Sequence, residues 1–128
     1  MFLWTFKGFV DDRDFNVMDE WYKELPEPAK AKLDWILEFL KTRPQNEWIA
    51  KYFKKLDERI YEIRFEVKNI AYRPLGSFAP MQNDFTFLIG VTKKNNILNP
   101  KGAVKTAFKR LKFIDINQSK ARECEFDD

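Results

Sequence analysis

Histidine is absent from all 128 residues, and cysteine occurs once, as Cys124 near the end of the chain. Without imidazole there is no histidine acid/base chemistry and no histidine-containing metal site, and one thiolate does not build a zinc centre. A single cysteine also excludes an internal disulfide and fits a reducing compartment, so we read it as an incidental thiol of the tail. Glycine is scarce, at four residues. None of them belongs to a phosphate-cradling loop, a dinucleotide-binding fingerprint or a nucleophile elbow, and no internal repeat is present. No uncharged run approaches the length of a membrane span, and the opening MFLWTFKGFV lacks the charged lead and small-residue cleavage site of a signal peptide. The expectation is a cytoplasmic protein with no membrane partner. Any catalysis must use Arg, Lys, Tyr, Asp or Glu, with no small-molecule cofactor.

What is present is apolar and basic. A hydrophobic content of 45%, with 13 phenylalanines, is enough for one folded domain with a substantial core. The net charge is only +3 but unevenly spread: most acidic residues fall in the first half, while Lys93 to Lys112 is rich in Lys and Arg and has no Asp or Glu. A basic partner surface is therefore expected toward the C-terminus. Residues 1–116 read as one domain, and 117–128, acidic at its end, as a polar, mobile tail.

Taken in order, residues 1–10 form an edge or second strand with Phe2, Trp4 and Phe6 on one side, followed by a turn at Asp11-Asp12. A short helix spans about Asp14 to Leu25, stopped by Pro26 and Pro28. A longer one spans about Pro28 to Thr42, with Ala29, Leu33, Ile36, Leu37 and Leu40 on one face. Gln45 to Lys55 fits either a helical face or an irregular connection, and Lys51, Lys54 and Lys55, just before the hairpin, either extend a basic rim or are ordinary solvated lysines. Pro74 to Gln82 reads as loop. Phe85, Phe87, Ile89 and Val91 alternate as a third strand of an antiparallel meander ending in Lys93-Lys94. The last helix begins with Asn99 as cap and Pro100 as first residue, turns Val104, Ala107, Phe108 and Leu111 inward, and lines its outer side with Lys101, Lys105, Lys109 and Lys112. That stripe is either a solvated face or a track for phosphates. The fold class is α+β: an N-terminal strand and helical hairpin packed on a mostly antiparallel sheet, with a C-terminal helix.

The centre of this arrangement is the stretch LDERIYEIRFEVKNIAYR, Leu56 to Arg73. Tyr61, Ile63, Phe65 and Val67 alternate with Glu62, Arg64 and Glu66, the period of a strand with one buried face. A two-residue turn at Lys68-Asn69 places Val67 opposite Ile70, Phe65 opposite Tyr72 and Arg64 opposite Arg73. Directly opposed side chains have Cβ atoms about 5 Å apart, and like charges there repel unless an anion lies between them. The two arginines, both expected outside the core, are a candidate anion site; alternatively Glu62 and Glu66 neutralise Arg64 while Arg73 extends into solvent.

The ordered set LDERIYEIRF, IAYR, FLIGVTKK and NPKGAVKTAFKRL, on the element order strand, two helices, meander, helix, resembles the RelE/ParE superfamily of type II toxin–antitoxin toxins. The likeness is to its HigB-like, phage-derived branch. The matching positions are Leu56, Ile60 to Arg64, Tyr72-Arg73, Val91 to Lys94, Ala107 and Arg110, within roughly residues 14–113. The resemblance implies a RelE-like fold and a small cytoplasmic toxin neutralised by a cognate antitoxin, which in that branch cleaves mRNA on the translating ribosome without a metal. It implies Arg64 and Arg73 as stabilisers of phosphorane charge, because a guanidinium matches phosphate oxygens bidentately. Lys94 becomes a candidate base or acid, and Lys93, Lys101, Lys105, Lys109 and Arg110 candidate RNA contacts. Several members carry a catalytic tyrosine or histidine near the C-terminus, whereas this chain has neither after Lys94. The proton-transfer roles are therefore unassigned. Two non-enzymatic alternatives stay open: inhibition of DNA gyrase by binding, as in the ParE branch, and an inactive phage-derived protein that binds nucleic acid or antitoxin.

Overall fold

The computed structural model describes residues 3–126, so the expected inward position of Phe2 lies outside the described residues. Strand β1 (Thr5–Phe9) is followed by a turn in which the Asp11 carboxylate accepts from the backbone N–H groups of Arg13 and Phe15. Helix α1 (Val17–Lys23) starts where the Asn16 side-chain oxygen accepts from the N–H groups of Met18 and Asp19. Helix α2 (Glu27–Lys41) carries a proline in its first turn and buries Ala29, Leu33, Ile36, Leu37 and Leu40, the face read from their spacing.

A single 3-10 turn at Gln45–Glu47 resolves the ambiguous segment, which ends in strand β2 (Phe53–Lys55). The centre of the chain then supplies β3 (Tyr61–Ile63), β4 (Phe65–Val67), β5 (Ile70–Tyr72), β6 (Leu75–Ser77), β7 (Asp84–Ile89), β8 (Thr92–Lys94) and β9 (Ile97–Asn99). Helix α3 (Ala103–Ile116) and β10 (Ala121–Glu123) complete it. Six strands form one sheet in the order β10-β1-β7-β6-β3-β2, and four form another in the order β4-β5-β8-β9. Among these pairs β1–β7 is parallel and the rest antiparallel.

The hairpin register is as the turn chemistry requires. Phe65 pairs with Tyr72 and Val67 with Ile70, and Lys68 and Asn69 both have positive φ, 50° and 69°. The expected single strand, however, is divided at Arg64. Its N–H leaves the hairpin ladder and donates to Tyr52 O at 2.8 Å, while the Ile63 N–H donates to Pro74 O at 3.0 Å. The strands cross from one sheet to the other at Arg64, at Arg73-Pro74 and at Gly90-Val91, and this line of crossings is the crease between the sheets. Gly90 is needed at this crease, because a Cβ there would stand 2.3 Å from the Trp21 indole.

Other expectations change for physical reasons. Leu75 to Ser77 is a buried strand rather than loop. Its Gly76 is a packing glycine, since a Cβ there would lie 2.5 Å from the Phe85 ring. All six residues of β7 are buried because helices cover both sheet faces: Phe85 and Phe87 join the core under α1 and α2, and Leu88 joins the one under α3. Asn99 ends β9 instead of capping a helix, and α3 starts four residues later, at Ala103 behind Gly102, whose φ is 72°. Val104 faces out, and Ala103 and Ile114 are buried with Ala107 and Leu111. The segment expected to be a mobile tail supplies β10, the outer strand beside β1, and Phe126 stacks on Tyr22 at 4.7 Å.

Candidate functional site

The crease between the sheets opens into a cleft of about 360 Å³, lined by Lys32 of α2, Lys51 and Tyr52 ahead of β2, and Arg64, Glu66 and Arg73. Local pairing assembles it. β2 and β3 align Phe53 with Ile63, and the next step of that ladder sets Tyr52 against Arg64. The β4–β5 register then carries Glu66 and Arg73 to the same opening. Four cations thus face one carboxylate in a single concave site.

The two arginines are held differently. The Arg64 side chain is 34% exposed and its Nε lies 3.5 Å from Glu62 Oε1, too far and too poorly directed for a hydrogen bond. That Nε is buried and donates to no acceptor, an unsatisfied donor of the kind that binding sites retain. Arg73, which one of the two alternatives extends into solvent, is only 16% exposed on its side chain. Its Nη1 donates to Phe65 O at 3.1 Å and to Tyr72 O at 2.9 Å, and its Nη2 lies 3.7 Å from Glu66 Oε1. Glu62 and Glu66 therefore divide between the two arginines rather than both serving Arg64. The Lys51 ammonium sits 5.5 Å over the Tyr52 ring.

The remaining residues of interest scatter. In the β5–β8 register Lys93 is opposite Ala71 and Thr92 opposite Tyr72, so Lys93 shares the sheet face of Arg73. Lys94 points to the other face, where with Lys101 it lines a separate groove of about 900 Å³ between α1 and the β8–β9 hairpin. It is not a partner of the arginine cleft. Lys105 and Lys109 are exposed on α3, which covers the sheet face opposite α2. Arg110 is a structural anchor: its Nη1 donates to Leu88 O at 2.8 Å, its guanidinium lies 5.2 Å over the Phe9 ring, and burial pulls its pKa down. Tyr72 is buried, and burial pushes its phenol up, away from ready proton transfer. Cys124 is held against Asn16, with the thiol pushed well above its ordinary value by burial and then by Asp19.

The sequence does not single out Lys32 and Tyr52 as cleft residues; it offers Lys51 only as one of three lysines of a basic rim, and Glu66 only as a neutraliser. The signal for Tyr52 is short, a Tyr-Phe pair before the Leu56 turn that places one aromatic residue in register with Arg64. Nothing in the sequence marks Lys32 apart from other helix lysines.

Among the described residues no helix is long and apolar enough to cross a membrane. The chain finds no match among curated proteins. Its residues 20–112 match the phage-derived protein Gp49-like family (DUF891), a stretch that contains α2, the creased hairpin and every cleft residue. With most of its length so matched, the chain belongs to the Gp49-like family, and through it to the RelE/ParE-like toxin superfamily.

Proposed function

We propose that this protein is the toxin of a type II toxin–antitoxin pair, acting in the cytoplasm as a metal-independent endonuclease on ribosome-bound mRNA. The observation that carries the proposal is the concave cleft that gathers Arg64, Arg73, Lys32 and Lys51 around one carboxylate, Glu66. A phosphodiester oxygen meets the exposed part of the Arg64 guanidinium, whose side chain is 34% exposed, and the pair of guanidinium groups stabilises the charge that grows on the phosphorane. Glu66 is the only carboxylate lining the cleft among the described residues, and it takes the proton of the attacking 2′-OH. The 2′-oxygen bonds to phosphorus, the bond to the 5′-oxygen breaks, and Lys51 protonates that leaving oxygen. The products are a 2′,3′-cyclic phosphate and a 5′-hydroxyl. Lys93, on the face of Arg73, meets a flanking phosphate, and the α3 lysines Lys105 and Lys109 meet ribosomal RNA.

The cognate antitoxin covers the cleft with acidic or apolar residues, by complementarity of charge. Inducible expression tests the reading. Arrest by the wild-type protein, lost in Arg64→Ala and in Glu66→Gln, with 5′-hydroxyl ends on the cleaved messages, is the expected result. Undiminished arrest in both variants, or inhibition of supercoiling by purified gyrase, overturns it.

A further inference from the structure

Trp35 is 53% exposed, although the other face of its helix is the main core. It lies on the flank of α2, three residues after the cleft residue Lys32, a spacing that puts both side chains on one helical surface. The indole stacks on Phe39 with ring centroids 5.5 Å apart and planes 14° apart, and meets Tyr52 edge-on at 5.8 Å. Phe39 is also held by Arg43, whose guanidinium lies 4.0 Å from the ring and donates to Phe39 O at 2.7 Å. Tyr52 is buried and lines the cleft. One ring contact, Tyr52 to Trp35, therefore connects the arginine cleft to a half-open indole.

We infer that Trp35 is a nucleobase-stacking subsite, and that the cleft and this platform together take a single-stranded nucleic acid, with a phosphate between Arg64 and Arg73 and a neighbouring base on the indole. The inference rests on the reading of the cleft as a phosphodiester site. Its chemistry is that of single-strand binding, in which a positively charged groove follows the backbone while aromatic faces hold unpaired bases. Lys32, Lys51 and Arg43 around the platform supply the positive rim. A fixed indole costs little entropy on binding, because Phe39 and Tyr52 already hold it on two sides.

The test uses the full chain and a six-nucleotide RNA with 2′-O-methyl riboses, which blocks 2′-OH attack, labelled for fluorescence anisotropy, beside an abasic strand of the same length. Base stacking on an aromatic residue predicts that Trp35→Leu weakens binding of the RNA by about 5- to 150-fold. Trp35→Phe is expected to weaken it less and to confirm that the fold survives, and Trp35→Leu should leave the abasic strand's affinity unchanged. Equal weakening of both strands, or RNA binding by Trp35→Leu equal to wild type while Arg64→Ala binds weakly, overturns the platform and leaves the cleft reading standing. RNA binding indifferent to both Trp35 and Arg64 overturns the platform and the cleft reading together.

Discussion

Arg73 and Arg64 line the same cleft, yet the structure assigns them different shares of stability. The Arg73 guanidinium donates to two backbone carbonyls at the sheet crease, Phe65 O and Tyr72 O. Hydrogen bonds from charged donors contribute about 1.5–3 kcal/mol each. Both bonds come from the one Nη1, and water entering the open cleft after truncation rehydrates both carbonyls, so their sum falls at or below twice the lower end and Arg73→Ala should cost about 2–3 kcal/mol. The contact to the exposed Glu66 at 3.7 Å adds little. Arg64 donates no hydrogen bond through its Nε and has only a 3.5 Å ion pair to Glu62, so Arg64→Ala should cost about 1 kcal/mol or less. At about 4 °C per kcal/mol for a chain of this length, Arg73→Ala lowers Tm by roughly 8–12 °C and Arg64→Ala by no more than about 4 °C. Thermal and urea melts of the two variants measure the difference. An Arg73→Ala protein melting within about 2 °C of wild type, or one more stable than Arg64→Ala, would refute the role of Arg73 as a brace of the crease.

Two further predictions follow from packing. Gly90→Ala places a methyl group 2.3 Å from the Trp21 indole, and overpacking of this kind costs about 1–3 kcal/mol. Urea melts should show the loss, and a Trp21→Ala, Gly90→Ala double variant should cost less than the sum of its parts. For Cys124, burial and Asp19 raise the thiol pKa in the folded chain, so the folded state holds its proton at pH values where the unfolded chain releases it. That contribution to stability is complete below about pH 9 and is lost as pH rises toward the folded value. Native protein at pH 8 should react with a thiol reagent far more slowly than urea-unfolded protein, and equal rates would contradict the burial.

Helices α1 and α2 were legible because each satisfies its own chemistry locally. Pro26 and Pro28 separate them, and the apolar residues from Ala29 to Leu40 recur at helical spacing. The β4–β5 register was legible for a similar reason, since Lys68 and Asn69 make a turn that permits only one pairing of Phe65 with Tyr72. The crease was not, because the Arg64 N–H is captured by Tyr52 O, twelve residues away, and no alternation pattern records such a contact. It divides an expected strand and replaces two directly opposed arginines with two that reach one cleft from different anchorages. Strand β6 was hidden by the same kind of cause, as Gly76 and Ser77 look like loop residues until Phe85 packs against them. The C-terminal strand is polar in composition because β10 is an edge whose outer residues, Arg122 and Glu123, are exposed. Lys94 was a candidate through the resemblance alone, and strand alternation turns it to the face opposite Lys93, away from the arginine cleft.

The most direct test of the central claim is 5′-end mapping of a defined mRNA in a purified translation system, with wild-type protein, Arg64→Ala and a ribosome-free lane. The cleft account predicts new 5′-hydroxyl ends within the translated region, dependent on ribosomes and absent with Arg64→Ala. Ends that persist unchanged in Arg64→Ala, or a translated message left intact by the wild-type protein, would contradict it.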